Sequence, residues 1–224
     1  MRRLVRIACA LAALAAMVGA ARMIEPVAEA KATVGIAYLP TSECARMTAL
    51  GYRELASDLY WFKAVQYYGG YRLDQNDIEL FAHLADLITD LDPQFTGAYR
   101  LSAIVITEDL GNFAEAKRLM EKGLRNNPDD YWLTFEMGFL HYMGGRDYTE
   151  AEKYFRLAAA IPNNDGSRAA RFAAEAASKG GNIEASIVLW RELAESSDSE
   201  YLRELAERYI ARLEKQRAAQ GGGS

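Results

Sequence analysis

Gly111-Asn112-Phe113-Ala114-Glu115-Ala116, Arg146-Asp147-Tyr148-Thr149-Glu150-Ala151 and Gly181-Asn182-Ile183-Glu184-Ala185 recur 35 and then 34 residues apart, counted at their final alanines. Pro93, Pro128 and Pro162 keep nearly the same beat, each closing an apolar helical run. Two independent landmarks on one period predict a solenoid of stacked two-helix units. A single such unit cannot bury its own apolar faces, so neighbours must stack and function must lie on the stacked surface.

Helical spacing begins near Thr41 and runs through Leu55, Leu59, Phe62, Val65 and Tyr68 to Gly69-Gly70. Asp77 is expected to cap the next helix, through Phe81, Leu84, Leu87 and Leu91. Three further pairs are predicted, turning at Leu110-Gly111, Gly144-Gly145 and Gly180-Gly181. Leu202, Leu205, Tyr209 and Leu213 then form one apolar stripe on a densely charged helix, the expected cap of the array. The resulting division is an export segment at 1–21, an extended linker at 22–40, helical repeats at 41–197, a capping helix at 198–217 and a flexible tail at 218–224. The fold class is therefore all-α.

Residues 1–21 have a basic start at Arg2, Arg3 and Arg6, an apolar run from Ile7 to Ala21 and small residues at its end. They read as a signal peptide, or alternatively as a membrane anchor, although the run falls short of the roughly 20 apolar residues that span a bilayer. Either reading predicts export, to the periplasm or to the envelope with an inner-membrane anchor. The segment is also the route by which the chain would contact a membrane. The formal charge of −5 becomes −8 once those three arginines are set aside. Such an acidic body, with no basic stripe interleaved with aromatics, argues against nucleic acid as a partner. Cys9 and Cys44 are the only cysteines, so no disulfide framework is expected within the exported body, and Cys44 is predicted to be a small buried hydrophobe. His83 and His141 lack metal-ligand spacing, and no phosphate-binding loop or nucleophile elbow occurs. The expectation is a protein with no cofactor and no catalytic residues.

Ala116, Met120, Gly123 and Pro128, echoed by Ala151, Phe155, Ala158 and Pro162, resemble the second helix of the tetratricopeptide-repeat family, and Tyr99 with Ala103 fits its first helix. The resemblance covers about Arg53 to Glu195 and implies a TPR-like α-solenoid of about four helix pairs. It further implies a groove lined by the first helix of each unit. That register places Gly97, Arg100, Ile104 and Thr107 in the groove from one unit, and Trp132, Phe135, Phe139 and Tyr142 from the next. Gly166, Ala169, Ala173 and Ala176 would form an alanine floor, and Trp61, Val65 and Tyr68 would join from the first unit. The implied function is a non-enzymatic scaffold of the bacterial envelope that grips a segment of another envelope protein, with pilus and secretion assemblies as clients by analogy. The alternatives are an anchored accessory subunit of a membrane complex, a self-associating array, and a ligand carrier or enzyme with a pocket around Trp132 and His141.

Overall fold

The computed structural model describes residues 39–74, 77–162 and 164–221. The signal or anchor segment and almost all of the 22–40 linker lie outside the described residues.

Among the described residues there are ten α-helices and no strand. A short α1 (Ser42–Thr48) leads into four antiparallel pairs. These are α2 (Arg53–Arg72) with α3 (Phe81–Leu91), α4 (Thr96–Glu108) with α5 (Phe113–Asn126), α6 (Tyr131–Leu140) with α7 (Tyr148–Ala159), and α8 (Ser167–Lys179) with α9 (Ile183–Ser196). A final helix, α10 (Glu200–Gly221), lies along α9. It runs past the expected end at 217, since Ala218, Ala219 and Gln220 are good helix formers. Asp77 does not cap α3; it stands one turn earlier, where its carboxylate accepts from the Glu79 N–H and the Tyr67 hydroxyl.

The sequence repeat is a turn with a cap. Gly111, Arg146 and Gly181 all occupy the left-handed region, at φ +64°, +51° and +85°. Each is followed by Asn112, Asp147 or Asn182, whose side-chain oxygen accepts from the backbone N–H three residues on, at 3.1 Å in all three. That bond satisfies one of the donors orphaned at a helix start. One residue later comes a fully buried small side chain: Ala116, Ala151 and Ser186, all at 0% exposure. The counterpart of Ala116 and Ala151 is therefore Ser186 and not the half-buried Ala185. Its hydroxyl would be an unpaired buried donor but for the Ala174 carbonyl, 2.7 Å away.

Small residues let the paired helices approach. A Cβ built on Gly123 would lie 2.9 Å from the Tyr99 ring, and one on Gly138 would lie 2.8 Å from Phe155. The core forms two main bodies that meet at α6, which is apolar on most sides. Leu133, Met137 and Leu140, at i, i+4 and i+7, face the first two pairs. Tyr131 and Phe135 face α7 to α10. The α10 cap seats Ala206 and Leu213 in this second body and stacks Tyr209 on the fully buried Trp190, with ring centroids 4.4 Å apart.

Cys44 is exposed, contrary to the expectation of a buried thiol. It sits on α1, whose only buried residue is Ala45, because a helix of seven residues presents only a narrow face to α3. No described helix is long and apolar enough to cross a membrane.

Candidate functional site

The first helices of the pairs offer a face on which α4, α6 and α8 are tied together by polar and aromatic side chains. Arg100 of α4 donates to Glu136 of α6 at 3.2 Å. Its guanidinium also lies 5.1 Å from the Trp132 ring, and Arg168 of α8 reaches the same ring at 5.4 Å. The Trp132 indole is thus held by two cations from two other helices, a contact that favours an electron-rich ring face. On the same helices Leu101, Ile104 and Trp132 remain open to solvent at 39, 47 and 39% exposure, as does Met143 at 55% in the turn that ends α6.

Of the residues expected in the groove, Arg100 and Trp132 are in contact, and Ile104 is exposed on α4. Phe139 is half-buried against Phe172 of α8. Thr107 is half-buried and spends its hydroxyl on the Ala103 carbonyl of its own helix. Trp61 and Tyr68 turn toward α4, Trp61 edge-on to Phe95 and Tyr68 donating to Asp109 at 3.0 Å. Burial, with the Asp109 carboxylate as a further cause, raises the Tyr68 phenol pKa, so Tyr68 stays a donor.

Phe135 and Tyr142 do not reach the open face. They are 6 and 8% exposed, because Phe172 of α8 inserts between α6 and α7 and meets Phe135, Phe139, Tyr142 and Phe155 at centroid distances of 5.3 to 6.2 Å. These rings form a packed aromatic core. The alanine floor is likewise absent from the surface: Ala169, Ala173 and Ala176 are at 0% exposure, inside the second body. What α8 presents instead is Arg168, with Arg171, Phe172 and Glu175 half-buried. Glu136, Leu101 and Arg168 were missed as members of this face. The Arg100–Glu136 spacing of 36 residues, close to one repeat, was the signal that could have paired them.

His141 lies on the far side of the same unit, in a π-helical turn (His141–Gly145) that ends α6. It is buried, with its ring between Phe113 and Tyr154 and neither ring nitrogen bonded. Burial, then the nearby Lys117 charge, lowers its pKa. Two open clefts of about 680 and 460 Å³ border neither Trp132 nor His141. The larger lies between α7, α8, α9 and the start of α10, and the smaller beside Gly51 to Leu55 and Leu91 to Gln94. Among the described residues no cluster of His, Cys, Asp or Glu could hold a metal ion.

No protein-family model matches the chain, and no curated protein matches it. Among solved structures the chain is similar to TTC0263, a thermophilic TPR protein of Thermus thermophilus, at 14% identity over 74% of this chain and 94% of that one, with a TM-score of 0.45. It is also similar to the MamA RS-1 ArsTM double mutant, at 13% identity over 72% of this chain and 96% of that one, with a TM-score of 0.48. Four helix pairs, three of them under identically capped turns, interlocked by small residues and closed by a final helix, make the chain a TPR-like α-solenoid.

Proposed function

We propose that the protein is a non-enzymatic interaction scaffold of the cell envelope, which binds a segment of another envelope protein across α4, α6 and α8. The observation that carries this reading is the exposed Trp132 held by two guanidiniums and a pre-set ion pair, on helices that also expose Leu101, Ile104 and, at the end of α6, Met143. Exposed apolar side chains around an aromatic and arginine anchor are the composition of interface centres. The anchor is already ordered by Arg100, Glu136 and Arg168, which lowers the cost of fixing it on binding. The partner remains a protein or peptide of the envelope, and pilus or secretion assemblies are candidates by analogy alone.

The reading is tested by cross-linking in the native envelope, comparing the wild type with a Leu101→Asp, Ile104→Asp, Met143→Asp variant whose helicity is unchanged. Loss of one defined partner supports the proposal. An unchanged set of partners refutes this face as the site. Envelope residence is tested on the same material by sequencing the mature N-terminus. A start near residue 22 supports export with cleavage. An intact Met1 in the membrane fraction favours the second reading, an accessory subunit anchored through the apolar run from Ile7 to Ala21. Recovery from the cytoplasm overturns both.

A further inference from the structure

Solenoid ends need covers, and the two ends of this array are covered unequally. At the C-terminal end the 22-residue α10 lies along α9 and buries Ala206 and Leu213. At the N-terminal end α1 has only seven residues. Its Ala45 packs on Leu87 and Leu91 of α3 beside Ala56 and Tyr60 of α2. α1 thus covers α3 more than α2. The outer flank of α2 is left open among the described residues.

That flank is apolar. Leu55, Leu59 and Phe62 are 57, 59 and 62% exposed, and at about 100° per residue they fall within roughly 60° of one another. They point away from Trp61 and Tyr68, which face α4. Eight of the fifteen exposed large apolar side chains among the described residues fall between Met47 and Leu73, so this end is far the stickiest part of the surface.

The chain's own course says what covers it. The chain just upstream of α1 enters the described residues at Leu39. Leu39 already packs on the first core body, and the Pro40 carbonyl lies 3.4 Å from His83 Nε2 at the start of α3. This is beside the C-terminal half of α2, where the Tyr67 hydroxyl accepts from Leu80 N–H. Residues 22–38 can extend about 55 Å from there, whereas Leu55 to Val65 spans only about 15 Å. The segment carries Met23, Ile24, Val27, Val34, Ile36 and Tyr38. We propose that residues 22–38 dock on the outer flank of α2, over Leu55, Leu59 and Phe62, and complete the array at its N-terminal end.

The test is a disulfide trap in the full-length chain carrying Cys9→Ser and Cys44→Ser, with Ile36→Cys and Leu59→Cys introduced. Mild oxidation at micromolar concentration is expected to close an intramolecular bond in monomeric protein. An Ile36→Cys, Arg203→Cys control should close none. Intermolecular bonds that rise with concentration would assign the flank to a second copy and overturn the proposal. So would an introduced thiol at position 59 that stays reduced and labels as fast as a free peptide thiol. A readout independent of cysteine register is Leu59→Asp. It should lower the melting midpoint by several degrees in the full chain and leave it unmoved where 22–38 are replaced by Gly and Ser of equal length. Equal shifts in both backgrounds would overturn the proposal.

Discussion

Replacing glycine by alanine within a helix normally stabilises by about 0.5–1 kcal/mol, because alanine has less backbone freedom to lose. Gly138→Ala should do the reverse. The new methyl would sit 2.8, 2.9 and 3.1 Å from Cδ1, Cε1 and Cγ of Phe155. That ring is fully buried and hemmed in by Phe135 at 5.2 Å, Phe172 at 5.3 Å and Tyr142 at 6.2 Å, so it has nowhere to retreat. Overpacking of this kind costs about 1–3 kcal/mol. Since the ring cannot retreat, the upper part of that range, about 2–3 kcal/mol, applies; set against the helix-propensity gain the net loss should be about 1–2.5 kcal/mol, a fall of about 2–10 °C in Tm for a chain of this size. The matched control is Gly69→Ala in α2, where a Cβ meets nothing within 4 Å; it should raise Tm by a few degrees. Thermal unfolding followed by circular dichroism gives the sign. Amide exchange shows whether the loss is confined to α6, α7 and α8, as nearest-neighbour stacking requires. A Gly138→Ala variant as stable as the wild type would refute the interlock, and with it the helix register on which both the core and the exposed face are placed.

Three further outcomes are expected. His141 is held neutral by burial, so its folded pKa lies below its ordinary value of 6.5; as pH falls through 6.5 the unfolded chain takes up the proton first and stability drops, by at most about 1.4 kcal/mol per pH unit until the folded group titrates. Urea titrations at several pH values should show that slope, and His141→Phe should flatten it. Arg146 occupies a left-handed position where the equivalent turns have Gly111 and Gly181, so Arg146→Gly should stabilise by about 0.5–1 kcal/mol in the same assay, despite glycine's larger entropy loss on folding. Burial works against ionisation of Asp90, but Lys122, 2.6 Å away, together with Ser42 and Arg46 outweighs it and holds the carboxyl below its ordinary range. Stability from this pair is present above pH 3.8 and lost as pH falls through the lower folded value. Lys122→Met should cost about 1–2 kcal/mol near neutral pH and shrink the difference from wild type in strong acid.

Period and turns were legible in the chain because they are local. A left-handed residue followed by an Asx cap needs only a few neighbours in sequence to be recognised, whereas the interlocks of Gly123 with Tyr99 and Gly138 with Phe155 join different helices. The sequence by itself therefore determined the helix pairs, the proline breaks after Leu91, Asn126 and Ala159, and the cap built on Tyr209 and Leu213. Tertiary structure alone decided which face each helix shows, since a shift of one residue turns a side chain by about 100°. The register carried from the neighbouring units into the last one put Ala169, Ala173 and Ala176 in the open, yet they are found at 0% exposure while Arg168 is exposed. Phe135 and Tyr142 were withdrawn from the surface by Phe172, a ring from another helix 30 or more residues away. The same long-range packing set Trp132 between Arg100 and Arg168 and left Leu55, Leu59 and Phe62 bare, because the place a side chain takes depends on which helix lies across from it.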